Sequence, residues 1–218
     1  MGDAPENLLV RSLRRGMPDI MLKSFDFGRA LPNPTGLSHS ERATKLDEAR
    51  RRGTERVLRA VQRGLGLEPR DLAKLQSGAR AWPAGHVGSV THKATVVLAV
   101  LAKAKEFKGV GVDLERIDRA DLTTVPGLAS AEELPSCLPD SASRHALFCA
   151  KEAAFKAVHP TLLRPLGFAD MCVSWTSVTP KLLIGEARVA DVRVALRCGI
   201  RATWVAAIAA WQALDDFV

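Results

Sequence analysis

The sequence predicts an α+β protein of two similar halves, because a helix-forming segment followed by strand-forming segments occurs twice along the chain. The first helix is written in ERATKLDEARRRGTERVLRAVQRGL, residues 41–65, and the second in SASRHALFCAKEAAFKAV, residues 141–158. Strand-like runs at residues 95–101 and 110–117 follow the first; four more, CVSWTSV, KLLIGEA, VRVALR and ATWVAAIAAW, follow the second. Residue-level self-similarity between the halves is too weak to name a repeat. The chain has 218 residues, 47% of them hydrophobic and 25% charged, which suits a globular protein with a sizeable buried core.

Taken in order, residues 1–40 are broken by Pro32, Pro34 and Gly36 and predict short pieces and loop. The helix at 41–65 is strongly basic, with a thin apolar stripe at Leu46, Val57, Leu58 and Val61. Gly53 interrupts it at a cost of about 1 kcal/mol relative to Ala, and Gly64 and Gly66 suit its end. The stretch from Gln76 to Val90 is rich in Gly and Pro and predicts turns, whereas Thr95 to Leu101 is β-branched and apolar, as a buried strand would be. The short connector KAKEFKG then leads to VGVDLERI, and two strands so joined predict an antiparallel hairpin. Pro126, Pro135 and Pro139 make 118–140 a loop with short helical turns. The second helix opens at Ser141 and closes at Val158, just before Pro160. The expected division is an N-terminal half at 1–108 and a C-terminal half at 109–218.

Several classes are excluded at this level. The longest apolar run, Ala94 to Ala102 with Thr95 inside it, is far short of the roughly 20 residues of a membrane span. The opening MGDAPENLLVRSLRR puts acidic and polar residues first, unlike a secretory signal, and Glu6 stands where myristoylation needs Ser or Thr. Asn33-Pro34-Thr35 is void as a glycosylation site because of its proline. Cys137, Cys149, Cys172 and Cys198 are widely spaced, without zinc-finger pairing, and predict reduced thiols in the cytoplasm. A formal charge of +7 and a pI near 9.6 call for a polyanionic or acidic partner. Aromatic residues are only 5% and Tyr is missing, which weighs against base stacking.

Alternation along VGVDLERI turns Asp113 and Glu115 to one face and Val112 and Leu114 to the other. Adjacent carboxylates repel unless a cation lies between them, and Mg²⁺, with Mn²⁺ as an alternative, would remove that conflict; a solvated acidic edge is the plainer alternative. Glu152 and Lys156 share a helix face with Lys151 beside them: a surface ion pair on one reading, a third metal ligand and a phosphate-binding ammonium on the other. Ala153, Ala154 and Ala157 would keep that face narrow for a large ligand. In GHVGSVTHK, Ser89, Thr91 and His92 put hydroxyls and an imidazole beside two glycines, as a bulky polyanion requires. The remaining histidines, His39, His86, His145 and His159, read as structural. Gly109-Val110-Gly111 is no dinucleotide fingerprint, because Leu114 stands where the third Gly belongs.

The motifs WPAGHVGSVTH, GVGVDLE and FCAKEAAFK, in this order and spacing, closely resemble the 4′-phosphopantetheinyl transferases of the longer, single-chain type that primes siderophore, polyketide and nonribosomal peptide carrier proteins. The likeness runs from about Lys45 to Val173. It implies two α+β halves about a pseudo-twofold axis with coenzyme A (CoA) between them, in a monomeric, Mg²⁺-dependent enzyme. It further implies transfer of phosphopantetheine from CoA to a serine of an acidic apo acyl or peptidyl carrier protein, releasing 3′,5′-ADP. By resemblance Asp113, Glu115 and Glu152 hold the metal, Glu152 is also the base, and Lys156, with Lys151 nearby, clamps phosphate. Thr91 and His92 resemble the pair that meets the CoA phosphates, and Trp82-Pro83 the stretch beside the adenine. Arg52 and Arg56 match a basic helical step, while Lys74 and Arg80 stand in for a basic residue that Ser77 replaces. Lys93 follows His92 where the family usually has a small or neutral residue. Neither a membrane nor a nucleic-acid partner is expected; the alternatives are a basic nucleic-acid module and a CoA-binding protein without transferase activity.

Overall fold

In the computed structural model, residues 5–14, 17, 19–26, 38–76 and 78–213 are described. The prolines and glycine at 32–36, and Ser77, lie outside them. Helix α1 spans Pro5–Arg14, strand β1 Ile20–Asp26, and α2 His39–Gly64. Strands β2 (His86–Lys93), β3 (Val96–Lys103) and β4 (Phe107–Arg116) come next. Helix α3 (Asp140–Leu162) leads to β5 (Met171–Val178), β6 (Leu182–Val189), β7 (Val192–Arg201) and β8 (Trp204–Gln212). The protein is thus α+β. One antiparallel sheet has the order β1-β3-β2 and the other β4-β8-β7-β6-β5.

Helix α2 begins two residues ahead of the expected Glu41 because Ser38 and Glu41 form a capping box, each side chain bonded to the other's backbone N–H. Its buried face, Val57, Leu58 and Val61, packs on Val97, Ala99 and Leu101 of β3. The opposite face of β3, Val96, Leu98, Val100 and Ala102, packs on Val110, Val112 and Leu114 of β4 and on Ala206, Ile208 and Ala210 of β8. Beyond the second sheet lies α3, whose alanines meet Val205, Ala207 and Ala209. The layers therefore run α2, first sheet, second sheet, α3.

Two expectations are corrected here. The hairpin between β3 and β4 does not form: β3 pairs with β1 and β2, and β4 pairs with β8 in the other sheet. Every residue of β3 but the last is buried, so both its faces need cover; β4 supplies one cover by stacking, which pairing edge to edge would forgo. The hairpin partner is β2, reached through a turn at Ala94-Thr95 that puts Ala94 at φ 50°. Strand β1 was hidden within an unpatterned N-terminal region and emerges only as the third strand against β3.

Helix α3 runs through Pro160 to Leu162 and ends with Leu163 at φ 49°, its N–H donating to the His159 carbonyl. The proline is tolerated because it falls in the last turn. Gly109 and Gly111 of β4 face α3 so closely that a Cβ on either would stand 1.9 Å from a carbonyl oxygen, of Ala157 and Ala153 respectively. Ala153, Ala154 and Ala157 are at most 1% exposed, so their smallness serves this helix–strand contact and not a ligand. All four cysteines are free thiols, and no described helix is long and apolar enough to cross a membrane.

Gly111→Ala should therefore cost on the order of 3 kcal/mol or more, since the backbone oxygen it meets belongs to a packed helix and cannot swing aside. Urea denaturation monitored by circular dichroism will read this as a lowered midpoint; an unchanged midpoint would contradict the close contact.

Candidate active site

Asp113 projects from β4 toward the seam with α3 and is 4% exposed. Two side chains from two other elements hold it. Thr91 on β2 donates to its Oδ1 at 3.1 Å, and Lys156 on α3 donates to the same oxygen at 2.6 Å. Lys156 thus reaches across to β4 instead of bonding Glu152 one turn before it, as a surface pair would. The ammonium also donates to the Val112 carbonyl at 3.4 Å. Asp113 Oδ2 is buried without a hydrogen-bond partner among the described residues. A buried carboxylate oxygen left bare is costly in a folded protein and suits a hard cation's ligand set.

Glu115, on the same face of β4, forms an ion pair with Lys93 from the end of β2. Glu152 is half-buried on α3; burial first, and then the Asp113 carboxylate, raise its pKa above the ordinary value, with Lys156 acting the other way. Each of the three carboxylates sits near the others, but two are turned to lysines, and among the described residues no group of three ligands converges as in a closed metal cage. The donor set nonetheless fits a divalent ion: two oxygens face the seam from Asp113, one of them bare, with Glu115 and Glu152 alongside.

Beside this cluster lies a cavity of about 400 Å³ lined by Arg80, Trp82, Gly88, Ser89, Phe155, Lys156 and His159 among others. An adjoining cavity of about 270 Å³ shares Arg80, Trp82, Gly88 and Lys156 and reaches Lys108 and Leu163. Gly88 makes room for Trp82, whose ring would lie 2.8 Å from a Cβ there. Pro83 is buried behind it, and Ser89 is 7% exposed at the cavity wall. Arg80 donates to the Leu72 carbonyl at 3.0 Å and pairs by an isolated bridge with exposed Lys74.

His92 faces the opposite side of β2, toward α2, where desolvation and then the charge of Arg50 hold its pKa below the usual histidine value. Arg50 went unnoticed within the ARRRGTER run. Its Nη1 pairs with Asp47 at 2.9 Å, its Nε is buried without a hydrogen-bond partner among the described residues, and its charge is felt by His92. Helical phase would have separated it, since Thr54, Val57, Leu58 and Val61 mark the buried face and Arg50 lies one turn before Thr54 on that side. Arg52 is instead paired with Glu48 at 3.0 Å and 65% exposed, while Arg56 stacks over Phe25 at 4.5 Å. Neither lines the two cavities.

Lys151 must be corrected. It is only 1% exposed, bonded to Glu133 at 3.0 Å and to the Phe168 carbonyl at 3.2 Å, on the side of α3 away from Asp113. Glu133 in turn accepts from the Val173 N–H at 2.9 Å, and its carbonyl accepts from Trp175 Nε1 at 2.8 Å. The adjacent position on a helix points about 100° away, so flanking Glu152 in sequence does not bring Lys151 to the same place. It is a clamp between α3, the 118–140 loop and β5.

Comparison with known proteins bears on this arrangement. Residues 109–209 match the 4′-phosphopantetheinyl transferase superfamily, and residues 54–102 match the 4′-phosphopantetheinyl transferase N-terminal domain. The chain is 30% identical over 172 residues to the 4′-phosphopantetheinyl transferase PptT of Mycobacterium tuberculosis, covering 73% of this chain and 75% of that one. The chain belongs to the 4′-phosphopantetheinyl transferases. Similar relatives include the transferase Npt of Nocardia iowensis, 34% identical over 60% of this chain and 62% of its own. Another is Svp of Streptomyces mobaraensis, 31% identical over 71% of this chain and 68% of its own. The protein is accordingly a phosphopantetheinyl transferase of the longer type, an enzyme whose family takes CoA and a carrier protein as substrates and works with a divalent metal.

In the transferase, Lys151→Ala leaves Glu133 buried and unpaired, and should cost about 3–5 kcal/mol of stability. A lowered melting temperature with unchanged CoA affinity in the variant that still folds is the expected result. Weakened CoA binding without loss of stability would return Lys151 to the phosphates.

Proposed function

We propose that the transferase moves the 4′-phosphopantetheine group of CoA to a serine of apo acyl or peptidyl carrier proteins of siderophore, polyketide or nonribosomal peptide type, with Mg²⁺ and release of 3′,5′-ADP. The observation that carries this reading is Asp113, held with one oxygen bare by Thr91 and by Lys156, which also lines a cavity of a size for a nucleotide. Asp113, Glu115 and Glu152 are the residues that would hold the ion. When bound, the ion supplies charge neutralisation at the pyrophosphate.

The chain's own groups do the rest. Residues 1–108 contribute the adenine and phosphate contacts, with Trp82 and Pro83 beside the base, Ser89 and Thr91 donating to phosphate oxygens from one face of the edge strand β2, and His92 from its other face. Residues 109–218 contribute the catalytic helix. The serine hydroxyl oxygen attacks the β-phosphorus, the bond from that phosphorus to the bridging oxygen of ADP breaks, and the Glu152 carboxylate accepts the hydroxyl proton. Lys156 steadies the charge that grows on the transferred and leaving oxygens. Arg50, with its unpartnered Nε beside His92, is the basic residue on α2 best placed for an anionic substituent of CoA. The net charge of +7 favours acidic carrier domains by steering. A cytoplasmic monomer suits free thiols and a cleft built within one chain.

Incubating the protein with an apo carrier domain, CoA and Mg²⁺ should add one phosphopantetheine to the carrier's intact mass. Asp113→Ala should abolish the transfer, and EDTA should do so reversibly, because several kcal/mol of transition-state stabilisation depend on that site. Full activity in chelator would overturn the assignment. Arg50→Ala should raise KM for CoA about tenfold with little change in kcat, the loss of one charge-assisted bond; a fall in kcat alone would place Arg50 elsewhere.

A further inference from the structure

Lys93 has no part in the reaction as written, yet it is bonded into the metal-binding cluster. Its position follows from strand register. On β2, residues 89, 91 and 93 share one face, opposite Val100, Leu98 and Val96 of β3, and that face looks toward β4. Thr91 thereby reaches Asp113, and Lys93, two residues on, reaches Glu115, itself two residues beyond Asp113. The two contacts are steps of one ladder between stacked strands. Lys156 arrives from α3 on the other side, so two of the three carboxylates are already neutralised by ammonium groups of the chain.

The two lysines differ in how firmly they are held. Lys156 is 27% exposed and makes two bonds, one to the Val112 carbonyl and one to the Asp113 carboxylate, itself 6% exposed. Lys93 is 34% exposed and has Glu115, 14% exposed, as its ion-pair partner. The ammonium of this pair keeps partial access to solvent, and a lysine on its flexible stem can pass from one oxygen to another without moving the backbone. A divalent ion that needs Glu115 must first displace this ammonium.

We infer that Lys93 is an internal counter-ion: it occupies Glu115 while the site is free of metal, and passes to the CoA pyrophosphate when the divalent ion takes Glu115, so that metal and CoA bind cooperatively. The inference rests on the metal assignment proposed above. Without CoA, the displaced ammonium has only water to turn to, and the ion binds weakly. With CoA present, the phosphate oxygens receive the ammonium that the ion releases, and each ligand strengthens the other by the same factor.

The test is Mn²⁺ binding to the full chain, read as loss of the free-ion electron paramagnetic resonance signal, with and without CoA. Lys93→Met should bind Mn²⁺ about five- to tenfold tighter than wild type in the absence of CoA, and CoA should enhance Mn²⁺ binding less than it does in wild type. Lys93→Arg, which keeps the charge, should stay close to wild type. In a Glu115→Gln background, Lys93→Met should no longer tighten Mn²⁺ binding, because the carboxylate it guards has gone. Unchanged or weaker Mn²⁺ binding by Lys93→Met, or an undiminished CoA effect, overturns the counter-ion. Wild type that binds no Mn²⁺ even with CoA overturns the metal site itself, and the counter-ion with it.

Discussion

The backbone of α3 lies against β4 at two glycines, and the site depends on that closeness more than on any single side chain. With hydrogen in place of Cβ at Gly109 and Gly111, carbonyl oxygens of the helix come within 1.9 Å of where a methyl would stand. The buried alanines on the helix side complete the seam. Only at this separation does the short Asp113 side chain meet the ammonium at the end of Lys156. A bulkier seam would hold the helix away, leaving a buried aspartate with no counter-charge, which a fold does not tolerate cheaply.

Charge is organised around this seam in a definite way. Asp113 is fixed by a threonine from one sheet and a lysine from the helix, whereas Glu115 is met by a partly exposed lysine from the end of β2. Glu152 completes the set on the helix, with its pKa raised chiefly by burial. Asp113 and Glu115 are thus each met by an ammonium of the chain, while Asp113 Oδ2 has no hydrogen-bond partner among the described residues. The Lys151–Glu133 pair ties the far side of α3 to the 118–140 loop, apart from this cluster.

Much of this was written in the sequence. The alternation of VGVDLERI set Asp113 and Glu115 on one face, and three short motifs in a fixed order carried the family resemblance that the comparisons bear out. The strands of the tail emerged at their expected places because β5 to β7 alternate and β8 is a continuous apolar run bounded by turn residues. Arg50 and Lys151 were misjudged for a common reason: composition shows that a run is basic, but which member of the run meets the site depends on helical phase relative to a packing partner.

The sequence by itself determined the α+β class, the two principal helices and the strands of the second sheet, since each is a property of local pattern; the three carboxylates were singled out only through the family resemblance. Tertiary structure decided which strands pair and which stack. A strand as apolar as β3 demands cover on both faces without saying whose, and the choice of β2 as neighbour and β4 as lid is a matter of packing between distant segments. The same packing decided which lysine meets which carboxylate, because Lys93, Lys151 and Lys156 are alike in chemistry and differ only in where the layers bring them.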